Sequence, residues 1–141
     1  MLKAVLDINV LVSSLINKQN PPGRIRAAWR RGELLVVTSG VIIDKADEVL
    51  HRPHIIDVFP IDETDIRDLL NGLREHAILT PHTLNLRVIE QDPEDDSIII
   101  AAVEGKADCI VSGDRHLTNL GAYEHIPILS PAEFVTQYRI P

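Results

Sequence analysis

The apolar positions of the chain fall into short continuous runs separated by longer amphipathic stretches, the spacing of strands that alternate with helices. Lys3 to Leu6 is a strand-sized apolar run punctuated by Asp7-Ile8-Asn9, and Val10 to Ile16 then reads as a helix. Gln19-Asn20-Pro21-Pro22-Gly23 breaks that helix. A second one follows from about Arg24 to Arg31, with Ile25, Ala28 and Trp29 available for the core and Gly32 at its end. Leu34 to Thr38 is an uninterrupted apolar strand, and Ser39 is an N-cap for a helix beginning near Val41. On that helix Ile42, Ala46, Val49 and Leu50 form an apolar stripe, Lys45 lies on its flank, Glu48 lies further out, and Arg52-Pro53 closes it. Asp62 caps a long amphipathic helix whose Ile66, Leu69, Leu70, Leu73 and Ala77 share one face.

Beyond it, Ile78 to Thr80 and Leu84 to Ile89 are short β candidates around Pro81, of which one is expected in the sheet. Asp92 followed by Pro93 has the form of an N-cap with proline at the first helical position, and Asp95 then falls in the first turn. The run Ile98 to Val103 is apolar all round, which predicts a buried helix, and Gly105 sits where a glycine would stop it. Cys109 to Ser112 is a short strand that halts at Gly113-Asp114. Arg115 to Leu120 reads as a helical turn and Ile126 to Leu129 as a last strand, and Ser130-Pro131-Ala132-Glu133 is a capping box opening a C-terminal helix. The alternation predicts an α/β fold, a three-layer α/β/α sandwich on a central parallel sheet of about four to five strands, organised as one domain over residues 1–141.

Composition narrows the function classes. A formal net charge of −7 argues against a protein coated for nonspecific nucleic-acid binding. Locally the sign reverses: no acid occurs between Asp7 and Glu33, where Lys18, Arg24, Arg26, Arg30 and Arg31 make either a solvated basic face or a set of phosphate-backbone contacts. The lone Cys109 excludes an intrachain disulfide and reads as a small buried hydrophobe, which suits a reducing cytoplasm. No apolar run approaches the roughly 20 residues of a membrane span, and no signal peptide is expected.

The candidate chemistry lies in the acids. Asp7 and Asp114 each follow a strand, and in parallel sheets ligands bind outside the carboxyl ends of strands, so the two are expected to share one crevice, while Asp95 reads equally as a partner of Asp92 in capping its helix and as a further acid of that crevice. Carboxylates within about 4–6 Å repel, and a cation between them resolves the conflict. With no Cys/His ligand spacing in the chain, all-oxygen ligation favours Mg2+ or Mn2+ over zinc and suits in-line attack of an activated water on a phosphodiester. Plainer roles exist for several of these residues. Asp92 fits a cap completely, Asp96 reads as solvent-facing helix surface, Asp114 as half of an ordinary Gly-Asp turn, and His116 as a surface histidine near it. Asp7 is the hardest to dismiss, because neither a cap nor a turn requires Asp-Ile-Asn after a buried strand.

The chain resembles the PIN-domain family, nuclease-like proteins found in bacterial toxin–antitoxin pairs. The matching pieces are V-L-D-I-N-V-L-V-S around Asp7 and Asn9, S-G-V-I-I-D-K-A-D-E-V-L-H-R-P from Ser39, the D-P-E-D-D opening around Asp95, and A-D-C-I-V-S-G-D-R-H-L ending at Leu117. The resemblance implies a metal-dependent endoribonuclease with a PIN-like fold, in which Asp7, Asp95 and Asp114 act as carboxylates on Mg2+ or Mn2+ and Asn9 and Ser112 support them. It also implies a homodimer and, in toxin members, a small antitoxin partner. One position departs from the pattern, since the family places an acid, usually Glu, six residues after a serine like Ser39, where this chain has Lys45. An ammonium there competes with a cation for the remaining carboxylates. Three accounts fit: Glu48 or Asp44 substitutes for the acid, the protein binds RNA or an antitoxin without cutting, or position 45 is altered. A third function class, aspartyl phosphoryl transfer, is disfavoured by spacing, because Asn9 stands where a dehalogenase-like motif wants a second aspartate.

Overall fold

A computed structural model of the protein describes residues 1–88 and 93–141. The apolar runs form strands β1 (Lys3–Leu6), β2 (Leu35–Ser39), β3 (Ile78–Thr80), β4 (Cys109–Val111), β5 (Ala122–Tyr123) and β6 (Ile126–Leu129). They join in the order β3-β2-β1-β4-β6-β5, and all neighbouring pairs are parallel except β5 with β6. Helices α1 (Ile8–Ile16), α2 (Pro21–Arg30), α3 (Gly40–Leu50), α4 (Pro53–Ile56), α5 (Glu63–His76), α6 (Pro93–Glu104), α7 (Arg115–Thr118) and α8 (Pro131–Gln137) flank the sheet and complete the expected three-layer α/β/α architecture. Five parallel strands match the upper end of the expected count. The sixth, β5, is an antiparallel edge of two residues, too short for periodicity to register.

Burial follows the pattern of the sequence. Ala4, Val5, Val37, Ile99, Ile110 and Phe134 have no measurable exposure, and α6, apolar all round, lies against β1, β2 and β4. Cys109 is buried mid-sheet, where burial and then neighbouring Asp108 push its thiol up to about 12, so it packs as a hydrophobe.

Several boundaries move for identifiable reasons. Helix α1 begins at Ile8 because the Asp7 carboxylate accepts the Ile8 N–H at 2.7 Å; Asp7 is therefore a cap, a role its surroundings in the sequence did not require. Pro21 and Pro22 open α2 rather than preceding it, since a proline in the first turn forfeits no helical bond and the Asn20 side chain accepts the Gly23 N–H at 2.8 Å. Ala77 is the C-cap of α5 and not part of its stripe, and Pro53 starts the short α4 as well as ending α3. Of the two β candidates, Ile78–Thr80 enters the sheet; Leu84 to Val88 forms no strand, while Ile89 and Asp92 lie outside the described residues. Gly105 follows α6 as expected, but its reason is proximity: a Cβ there would stand 2.4 Å from Val37 Cγ1, and Lys106 carries the left-handed conformation, with φ of 52°.

The largest correction concerns Asp96. It is 6% exposed, and its carboxylate accepts the Val88 N–H at 2.9 Å. At the other end of the same helix, Glu104 accepts the N–H groups of His82 and Thr83 at 2.8 Å and of Leu84 at 3.2 Å. Two carboxylates of α6 thus fasten the segment after β3 to the helix.

Candidate active site

Strand order reverses at β1. The chain leaves β1 towards β2 and β3 on one side and later places β4 and β6 on the other, which makes a crevice at the carboxyl ends of β1 and β4. Register aligns the two ends: Leu6 lies opposite Val111, and the Asp7 N–H donates to Val111 O at 3.0 Å. Asp7 and Ser112 therefore leave the sheet side by side, and the Ser112 hydroxyl donates to Asp7 Oδ2 at 2.6 Å. The same hydroxyl accepts the Asp114 N–H at 3.0 Å, so one fully buried serine fixes both strand-end acids. Asp114 in turn caps α7 by accepting the His116 N–H at 2.7 Å.

Helix α6 supplies the third acid. Asp95 in its first turn is 5% exposed and faces the same cleft of about 230 Å³ as Asp7, Asn9 and Asp114. The three aspartates singled out from the sequence, Asp7, Asp95 and Asp114, meet at one rim of the sheet. Among the described residues, Asp95, Asp114 and His116 offer ligand atoms that all lie within 4.8 Å of one another. Asp7 stands on the same cleft with its two oxygens engaged by Ile8 and Ser112. A set of two converging carboxylates and an imidazole, with a third carboxylate beside them, is a donor set that fits a divalent ion.

Lys45 also lines the cleft, together with Arg52 and His54. Its ammonium lies 3.3 Å from Glu48 Oε2. Arg52 holds Glu48 with two bonds, Nε to Oε1 at 3.0 Å and the terminal nitrogen to Oε2 at 2.8 Å. These cations, Arg52 first, hold the Glu48 carboxyl below its ordinary range. Glu48 is thus placed as counter-ion to Arg52 and Lys45, and neither it nor Asp44 is among the residues that line the cleft.

The basic segment lies elsewhere. Arg24 donates to Ile140 O at 2.7 Å and Arg31 pairs with Glu33 at 2.8 Å. Arg26 and Arg30 line a larger hollow of about 700 Å³ beside Trp29 and Leu34, near the amino ends of β1 and β2. That hollow is bigger than the acidic cleft, but none of the strand-end carboxylates reaches it. Burial, and then Arg30, lower the Arg26 guanidinium below its ordinary value, and its Nε is enclosed without a hydrogen-bond partner.

His116, read from the sequence as a surface histidine near Asp114, is half-exposed and stands beside both Asp114 and Asp95. Its place two residues after a strand-end aspartate, in the turn that the aspartate caps, is what brings it there.

Comparison with known proteins agrees with this geometry. The family model described as "PIN domain" matches residues 3–116, a span that takes in β1, α6, β4 and every acid of the cleft. The chain is also similar to the uncharacterized protein MJ1680 of Methanocaldococcus jannaschii, at 26% identity over 145 residues covering 97% of this chain and 92% of that protein.

Proposed function

The chain belongs to the PIN-domain family, a family of nucleases, and from that membership we propose that it is a Mg2+- or Mn2+-dependent endoribonuclease of toxin type. The observation that carries the reading is the meeting of Asp7, Asp95 and Asp114 on one cleft at the carboxyl ends of β1 and β4. A divalent ion in that cleft supplies an activated water and offsets charge on the scissile phosphate. The protein's own part is to hold the carboxylates in place. The Ser112 hydroxyl orients Asp7, the α7 turn orients Asp114, and burial in α6 fixes Asp95. Asn9 and Arg52 on the cleft wall offer an amide and a guanidinium to a phosphodiester. In the same reading the protein works in the cytoplasm as a homodimer, opposed by a small antitoxin protein; among the described residues no helix is long and apolar enough to cross a membrane.

Lys45 favours a second reading. An ammonium on the wall of a metal cleft lowers affinity for a dication, so the same scaffold serves as a module that binds RNA or an antitoxin without cutting. One experiment separates the two: incubation of single-stranded and structured RNA with Mn2+ and the parent protein, Asp7→Asn or Lys45→Glu. Slow cleavage by the parent, faster cleavage by Lys45→Glu and none by Asp7→Asn is the expected result. Cleavage by neither the parent nor Lys45→Glu leaves the binding module.

A further inference from the structure

Resting on the metal-dependent reading above, we infer that His116 is a ligand of the same centre and that its nitrogen makes the site select Mn2+ over Mg2+. His116 Nδ1 lies 3.6 Å from Asp114 Oδ1 and 3.9 Å from Asp95 Oδ2. Both separations exceed the roughly 2.7–3.2 Å of a hydrogen bond, so the imidazole is held near the two carboxylates without bonding to either. An ion with bonds of about 2.0–2.2 Å spans ligand pairs up to about 4.2 Å apart, and these separations lie inside that reach. The placement is built by the backbone, because the N–H that donates to Asp114 Oδ1 at 2.7 Å is that of His116 itself. The contact seating the aspartate therefore also fixes the backbone that carries the ring, which stands beside Asp95 and Asp114 at the edge of the cleft without being one of its lining residues.

The competing account is a surface histidine drawn towards two acids, and the half-exposed ring, 48% accessible, is compatible with it. The chemistry of the ions separates the accounts. Mg2+ is hard, keeps its waters and takes oxygen ligands, whereas imidazole suits first-row transition ions. A site of two carboxylates and one imidazole accordingly gains more from Mn2+ than from Mg2+, and a surface histidine changes neither.

The test is calorimetric titration of the full-length protein, without RNA, with MnCl2 and separately with MgCl2. It compares the parent with His116→Gln, which removes the ligand, and His116→Asp, which replaces nitrogen by oxygen. The parent is expected to bind Mn2+ more tightly, His116→Gln to lose about tenfold or more of its Mn2+ affinity with little change for Mg2+, and His116→Asp to shift the preference towards Mg2+. An unchanged Mn2+ to Mg2+ ratio in His116→Gln, with both ions still bound, overturns the role of His116 and leaves the nuclease reading standing. Absence of binding by either ion to the parent overturns both.

Discussion

At the scale of single residues, the acids divide by what surrounds them. Asp95 and Asp96 are neighbours, both nearly enclosed, yet Asp95 faces the cleft while Asp96 holds the Val88 N–H. Helical periodicity gives the angle between the two side chains, but not what covers each of them. That is why the sequence leaves Asp95 open between a cap and a cleft acid, and why Asp96, which reads as surface, proves to be buried. Lys45 reads from helical angle only as the flank of the α3 stripe and stands out through its departure from the family pattern; the structure puts it on the cleft wall. Reversing its charge with Lys45→Glu is expected to raise Mn2+ affinity by about tenfold or more, an effect of about 1.4 kcal/mol that titration of the free protein measures. His51 offers a prediction in pH. The Glu63 carboxylate, at 2.8 Å, and then the Asp47 backbone carbonyl, also at 2.8 Å, favour its charged form and raise its pKa above 6.5. The stabilisation is therefore fully present below about pH 6.5 and lost as pH rises through the raised value. Because the ring is 40% exposed, the effect is small: His51→Gln should cost about 0.5 kcal/mol in melts at about pH 5 and nothing measurable at about pH 9.

At the scale of elements, strand length and register decide where the chemistry can sit. Strands β1 and β4 end level, so the residues that follow them, Asp7 and Ser112, bond to each other across the sheet. The strands themselves were readable from short apolar runs, and α3, α5 and α8 from their caps and stripes. The destinations of Arg24 to Arg31 were not, because a run of cations at helical spacing looks alike whether it faces RNA, Glu33 or the C-terminal backbone. The close approach of α6 to β2 gives an element-scale test. Gly105→Ala places a Cβ 2.4 Å from Val37 Cγ1 and 3.1 Å from Ala101 O, and should destabilise the protein by about 1–3 kcal/mol in urea unfolding. Adding Val37→Ala should recover part of that loss; no recovery would mean that the α6 backbone, rather than the Val37 contact, sets the cost.

At the scale of the whole molecule, an acidic protein gathers Asp7, Asp95 and Asp114 at the place where the sheet topology reverses. The order β3-β2-β1-β4-β6-β5 separates the chain into two halves whose strands diverge from β1 and β4, and the crevice between them receives one carboxylate after each strand and one from α6. The family match over residues 3–116 spans both halves, so fold and cleft belong together. Like charges gathered in this way, with Lys45 and Arg52 on the same wall, are held by the fold, and a dication bound there would offset their repulsion. The most direct check is a Mn2+ titration of the parent protein and of Asp114→Asn, followed by the electron paramagnetic resonance of free Mn2+. Saturable binding by the parent that weakens about tenfold or more in Asp114→Asn is the predicted result. Equal binding by the two proteins, or none by the parent, would contradict the assignment of this cleft as a metal centre.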